Sequence, residues 1–154
     1  GSIQSPQNAF LLNIGLETLH LRMPRHCENA LKVAQYLQNR EDVAWVKYPG
    51  LPGDKYYELA QKYMPKGTCG VISFGLKGGR QAASVFMDKL ELCSIETHVA
   101  DSRTAVLHPA SHTHRQLTDE QLVEAGVDPS MIRFSVGLES AADVIEDIRQ
   151  ALED

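Results

Sequence analysis

Two short runs decide the fold: GVISFGL at residues 70–76 and IRFSV at residues 132–136. In the second run Ile132 and Phe134 alternate with polar side chains, which is the period-two pattern of a strand with one apolar face. The first run is mostly β-branched and apolar, which is typical of a buried strand. Both runs are therefore predicted to be strands of one sheet.

Helix signals precede these strands. Ser5-Pro6 is a good helix start, because the serine can cap the first turn and proline loses no hydrogen bond at the first helical position. Apolar residues then recur at helical spacing on both sides of Pro24. They are Leu12, Leu16, Leu19, Met23, Ala30, Val33, Ala34 and Leu37. We predict one long helix over residues 6–39, kinked or restarted near Pro24.

Shorter elements complete the chain, and residues 97–114 are predicted to be irregular. Thr118 to Gln121 forms a capping box that opens a helix ended by Gly126. Further strands are predicted at 43–48 and 92–95, and further helices at 57–63, at 81–90 and after Ser140. The order of elements predicts a single domain over residues 1–154. We expect an α+β two-layer sandwich with a mostly antiparallel sheet covered by helices.

Composition excludes several classes of function. The 154 residues carry a formal net charge of −5 and a pI of about 5.7, so a nucleic acid partner is not expected. No apolar run approaches the roughly 20 residues that cross a bilayer, and the first residues do not resemble a signal peptide. We therefore expect a soluble, cytoplasmic protein without membrane contact. Cys27, Cys69 and Cys93 are widely spaced, which predicts reduced thiols.

Arg133 is the first candidate for a binding residue. It projects from the polar face of a predicted strand, and a guanidinium held there can grip a carboxylate through two parallel hydrogen bonds. The pattern alone also fits a solvated surface arginine.

The predicted irregular segment 97–114 is the second candidate, because ordered loops rich in polar groups often carry sites. His108, His112 and His114 have a spacing that could bring two imidazoles to a metal ion. No helical H-E-x-x-H frame or acidic third ligand accompanies them. We predict no metal site and expect these histidines to bond backbone groups. His26 and Cys27 diverge on a helix, so a packed thiol is expected there and not a nucleophile with its base.

HPASHTHRQL at 108–117 and IRFSVGLE at 132–139 resemble two paired signatures of the Cys/Met-metabolism family of pyridoxal 5'-phosphate (PLP) enzymes. The opening SPQNAFLLNIGLETLHLRMPRHCENALKVA is similar to that family's entry into its C-terminal domain. The resemblance spans nearly the whole chain and implies the C-terminal small domain of a fold-type I PLP enzyme. The run ADSRTAVLHPASHTHRQL resembles the sulfhydrylases more than the cystathionine lyases or methionine lyases.

The resemblance also implies site residues. In the family the strand arginine matching Arg133 holds the substrate α-carboxylate, and positions matching His98 and Ser102 belong to the same pocket. His98 departs from the serine or asparagine usual in relatives. Ala100 stands in a stretch where relatives commonly carry glycine, which predicts a different local backbone.

The implied activity belongs to a longer protein. The family's cofactor lysine lies upstream in a Ser-x-x-Lys motif that none of the seven lysines here matches, so no catalytic residue and no bound cofactor are expected in this chain. The implied reaction exchanges the acetate of O-acetylhomoserine for sulfide or a thiol, giving homocysteine or methionine.

Four alternatives stay open: a cystathionine γ-synthase or γ-lyase domain, a methionine γ-lyase domain, a non-catalytic amino acid binding module, and an oligomerisation domain. We expect the complete enzyme to be a homotetramer. This chain by itself is expected to be inactive and either monomeric or weakly dimeric.

Overall fold

The computed structural model describes residues 2–153 and shows an α+β sandwich with a five-stranded sheet. The sheet order is β1-β2-β5-β4-β3, antiparallel except between β3 and β4. The strands are β1 Val43–Lys47, β2 Val71–Leu76, β3 Ser94–Ile95, β4 Ala105–Leu107 and β5 Met131–Ser135. The helices are α1 Pro6–Glu17, α2 Leu19–Gln38, α3 Tyr57–Tyr63, α4 Gly79–Lys89, α5 Asp119–Glu124 and α6 Ala141–Glu153. The predicted fold class is confirmed.

The hydrophobic core lies between one face of the sheet and helices α2, α4 and α6. Phe74 of β2, Phe86 of α4 and Phe134 of β5 form its centre, with ring centroids 5.6–6.3 Å apart. Such tilted and edge-on pairs stabilise a core beyond the burial of their area. Because side chains alternate along a strand, Arg133 and Ser135 project from the opposite face of β5.

The predicted helix over 6–39 is two helices, and the break falls at Thr18 and not near Pro24. The Thr18 carbonyl accepts hydrogen bonds from the amides of Leu21 and Arg22, so α2 starts there. The Arg22 side chain bonds the carbonyl of Gly15 near the end of α1 and the Thr18 hydroxyl. Pro24 lies inside α2, which continues through it.

The two halves of the predicted apolar stripe differ in burial. Ala30, Val33, Ala34 and Leu37 of α2 are fully buried. In contrast, α1 buries none of its residues, and Phe10, Leu12 and Leu16 are more than half exposed. Among residues 2–153 no helix is both long and apolar enough to cross a membrane.

Strand β4 was not predicted, because Ala105, Val106 and Leu107 are too few to show a period. All three are buried, and β4 pairs with β5 on one side and β3 on the other. The segment predicted to be irregular therefore contains an inner strand of the sheet.

Candidate substrate-binding site

Arg133 lies at the middle of β5, between Ser73 of β2 and Leu107 of β4. The residue is half-buried, and one terminal guanidinium nitrogen donates to the carbonyl of Thr97 at 2.9 Å. Its Nε is buried without a hydrogen-bond partner among residues 2–153. The terminal nitrogens of a guanidinium that lacks a carboxylate partner can bind an anion through charge-assisted hydrogen bonds.

The segment after Thr97 is fastened to the end of β5 and to the residues that follow it. The amide of Ala100 donates to Ser135 Oγ at 3.1 Å, and the amide of Leu138 donates to the carbonyl of Ser102 at 2.8 Å. The Glu139 carboxylate accepts from the backbone amide of Thr104 at 2.6 Å and from its hydroxyl at 3.0 Å. These bonds fix residues 97–104 beside Arg133.

Helix α2 holds the same stretch, residues 136–139, from the other side. His26 Nδ1 lies 2.7 Å from the carbonyl oxygen of Val136, and Asn29 Nδ2 donates to the carbonyls of Gly137 and Glu139 at 3.0 and 2.8 Å. A side chain at Gly137 would place its Cβ 2.5 Å from the carbonyl oxygen of Ser102. The SVGLE run is therefore a junction that joins α2, β5 and the segment next to Arg133, and it has no room for a larger residue at Gly137.

Ala100 adopts a left-handed backbone conformation, with φ of 60°. An alanine there costs roughly 1–2 kcal/mol relative to a right-handed conformation, whereas glycine adopts it freely. The alanine is thus accommodated in a turn that favours glycine.

The structure joins Arg133 to Thr97, the residue before His98, and the Ser102 hydroxyl bonds within its own segment. His98 directly follows Thr97, and its side chain is 64% exposed with Nδ1 3.9 Å from a Glu96 carboxylate oxygen. The Ser102 hydroxyl is exposed and lies 3.4 Å from an Asp101 carboxylate oxygen. A substrate role for either residue stays a prediction.

A cavity of about 250 Å³ opens beside this arrangement. Its walls include Val71, Val99, Ala100, Ser135 and His26. Ser135 is two residues beyond Arg133 on the same face of β5, about 7 Å along the strand. The cavity therefore opens at the next position along the strand face that carries Arg133, and Arg133 itself does not line it.

The histidines of the HPAS run bond within the fold. His108 is fully buried, with Nε2 2.9 Å from the carbonyl oxygen of Pro129 and Nδ1 2.9 Å from Ser111 Oγ. Burial lowers the pKa of His108, which favours the neutral ring. His112 Nδ1 lies 3.0 Å from the carbonyl oxygen of His108. For these two residues the expected bonding to backbone groups is confirmed, and the part of the chain described has no metal-binding cluster of His, Cys, Asp or Glu.

The three cysteines are free thiols, as predicted. Cys27 lies against Gly67, where an added Cβ would be 3.0 Å from its sulfur, while the neighbouring His26 bonds the carbonyl of Val136. Burial raises the pKa of the Cys27 thiol, which disfavours the thiolate. The interpretation of Cys27 as a packed thiol agrees with this geometry.

The chain belongs to the Cys/Met metabolism PLP-dependent enzymes, whose family profile matches residues 1–153. It is 46% identical to O-acetyl-L-homoserine sulfhydrylase of Leptospira meyeri over 99% of this chain and 35% of the relative. It is 40% identical to L-methionine gamma-lyase of Fusobacterium nucleatum subsp. polymorphum over 99% of this chain and 38% of that protein.

A solved structure is also similar, that of a putative O-acetylhomoserine (thiol)-lyase from Campylobacter jejuni carrying a pyridoxyl-lysine phosphate group. The TM-score is 0.90 with 41% identity, covering 100% of this chain and 37% of that one. The chain thus spans little more than a third of the length of these relatives.

Proposed function

We propose that this chain is the C-terminal substrate-binding domain of a PLP-dependent O-acetylhomoserine sulfhydrylase. The complete enzyme would convert O-acetylhomoserine and sulfide into homocysteine and acetate, or use a thiol in place of sulfide. The observation that carries the proposal is the half-buried guanidinium of Arg133, which the Thr97 carbonyl restrains and which forms no ion pair with a carboxylate of the described chain. A substrate α-carboxylate would supply the missing counter-charge through hydrogen bonds from the terminal nitrogens.

The domain's contribution to the reaction is orientation. A carboxylate gripped at two points by a guanidinium on a rigid strand cannot rotate freely, so the bonds at the substrate Cα take fixed directions. The carbonyl of Thr97 restrains the guanidinium through its 2.9 Å hydrogen bond. PLP, when bound, would supply the electron sink of the reaction, and this chain would supply the alignment. We assign no catalytic residue to the chain and propose that it is inactive alone.

The choice between sulfhydrylase and lyase is testable with the complete protein, because both names occur among the relatives. We expect homocysteine and acetate from O-acetylhomoserine with sulfide. With L-methionine alone we expect no methanethiol, and we expect no turnover of cystathionine. Chromatographic detection of each product makes the comparison, and release of methanethiol at the faster rate would favour a methionine γ-lyase.

The exposed apolar surface of helix α1 supports the proposal that this chain is part of a longer protein. Phe10, Leu11, Leu12, Ile14 and Leu16 point in all directions around the helix, and each is at least 48% exposed. A helix that is apolar all round is normally enclosed by protein. We propose that the remaining two thirds of the complete enzyme cover it, in a cytoplasmic homotetramer.

This exposure predicts weak self-association of the chain alone. We expect concentration-dependent elution between monomer and dimer in gel filtration, and enhanced fluorescence of a dye that binds apolar surfaces. Replacing Leu12 and Leu16 together with lysine is expected to abolish both effects. Val123→Lys on α5 is the matched control, because Val123 is also 62% exposed but isolated from α1. Unchanged dye binding in the double variant would show that α1 is not the surface that binds the dye.

A further inference from the structure

We infer that Ser135 is a positioning residue for the carboxylate site, an inference that rests on the proposed function. The side chain is 3% exposed, and its Oγ accepts the Ala100 amide at 3.1 Å. Arg133, two residues earlier on the same face of β5, donates to the Thr97 carbonyl. Two neighbouring side chains of one strand therefore hold the two ends of the turn 97–100.

The turn needs such a restraint because of its backbone. Ala100 is the one non-glycine residue with positive φ among residues 2–153, at 60°. An L-residue in this region persists only where its surroundings impose it. The bond from its amide to Ser135 is a direct restraint of this kind, since it fixes the peptide group next to the strained φ angle. Without the hydroxyl, Ala100 would relax toward negative φ.

Relaxation at Ala100 would reach Arg133 through three residues. Thr97, His98 and Val99 connect the two anchors, so rotation of the Ala100 backbone displaces the Thr97 carbonyl that restrains the guanidinium. The cavity at Ser135 would also change shape, because Val99, Ala100 and Ser135 all line it. Ser135 thus acts through the turn and needs no contact with the substrate.

Ser135→Ala in the complete enzyme tests the inference. We expect the KM for O-acetylhomoserine to rise about 10-fold, while the KM for sulfide stays unchanged, because misplaced binding groups weaken one substrate only. Adding Ala100→Gly to Ser135→Ala should restore a large part of the loss, because glycine adopts positive φ without strain. Ser84→Ala, on α4 at the other face of the sheet, is the matched serine control and should have wild-type kinetics.

Hydrogen exchange on the complete protein supplies a readout that does not depend on the proposed activity. In Ser135→Ala the amides of residues 97–104 should exchange at least about 10-fold faster, with the rest of the protein unchanged. Unchanged exchange in this segment would overturn the inference even if O-acetylhomoserine is the substrate. Acceleration spread over the whole domain, without rescue by Ala100→Gly, would show a merely structural role and would also overturn it. Faster exchange of residues 97–104 in a protein without activity on O-acetylhomoserine would contradict the proposed function. It would still support the inference that Ser135 holds the turn.

Discussion

Arg133→Ala in the complete enzyme is expected to lower kcat/KM for O-acetylhomoserine by about 30-fold or more. Removing one partner of a buried, hydrogen-bonded charge pair costs about 2–5 kcal/mol, and each 1.4 kcal/mol is a factor of ten in rate. Here the loss would include the grip on the carboxylate and the restraint from the Thr97 carbonyl. The measurement is steady-state kinetics with the amino acid varied at saturating sulfide.

One further variant separates the charge of Arg133 from its geometry, and a second is the control. Arg133→Lys keeps the positive charge but loses the planar fork, so only a small part of the activity should return. Arg103→Ala is the matched control, because Arg103 is an exposed arginine whose guanidinium lies 3.5 Å from Glu96. It should retain nearly full kcat/KM, since exposed ion pairs contribute little. Full activity of Arg133→Ala would show that the carboxylate is held elsewhere.

Asp147→Ala is expected to lower the free energy of unfolding of the chain by about 3 kcal/mol. Asp147 of α6 is 5% exposed, and its two carboxylate oxygens accept the backbone amides of Glu91 and Cys93, each at 2.8 Å. Hydrogen bonds to a charged group contribute about 1.5–3 kcal/mol each, and the variant leaves two amides without their acceptor. These amides lie in the connection between α4 and β3, so their bonds to Asp147 fasten that connection to α6. Urea denaturation measures the effect.

The contribution of Asp147 to the free energy of unfolding also depends on pH. Burial alone would raise the pKa of Asp147, but the amides of Glu91 and Cys93 stabilise the carboxylate and lower it. A pKa that is lower in the folded state gives stability that is present above the unfolded value of about 3.9 and lost as pH falls through the folded value. The difference between wild type and Asp147→Asn should therefore stay constant above about pH 4 and shrink as the pH falls further.

Glu146→Ala is the matched control for these measurements. Glu146 is adjacent on α6, and its side chain is 63% exposed in an ion pair with Arg149. Its removal should change stability by less than about 0.5 kcal/mol. An equal effect of the two substitutions, or a constant effect of Asp147→Asn at all pH values, would contradict the role assigned to Asp147.

Four of the five strands and the caps at Ser5 and Thr118 could be predicted, because their signals are local. The alternation around Arg133 identified β5, and the spacing of Thr118 and Gln121 identified a capping box in which both reciprocal bonds are present. The break between α1 and α2 could not be predicted, since it depends on the contact of Arg22 with the end of α1. Pro24 was a misleading signal, because its missing amide is tolerated inside α2.

The candidate site was predictable only in part. The resemblance singled out Arg133, but the partner of its guanidinium lies 36 residues away in the chain and is placed by the pairing of β3 with β4 and of β4 with β5. That pairing involves a three-residue strand without a period. The bond of Ser135 to Ala100 was missed for the same reason, since neither residue carries a pattern of its own. The one sequence signal for a role of Ser135 was its position two residues after Arg133, on the same face of the predicted strand.

A cycle of ligand and protein changes tests whether Arg133 binds the substrate α-carboxylate. Calorimetry would compare the binding affinity of L-norleucine with that of L-norleucinamide, which lacks the carboxylate charge. Both ligands would be measured on the complete wild-type enzyme and on Arg133→Ala. We predict that loss of the charge weakens binding about 30-fold or more in the wild type and hardly at all in the variant. The same loss of affinity in both proteins would show that Arg133 does not bind the carboxylate.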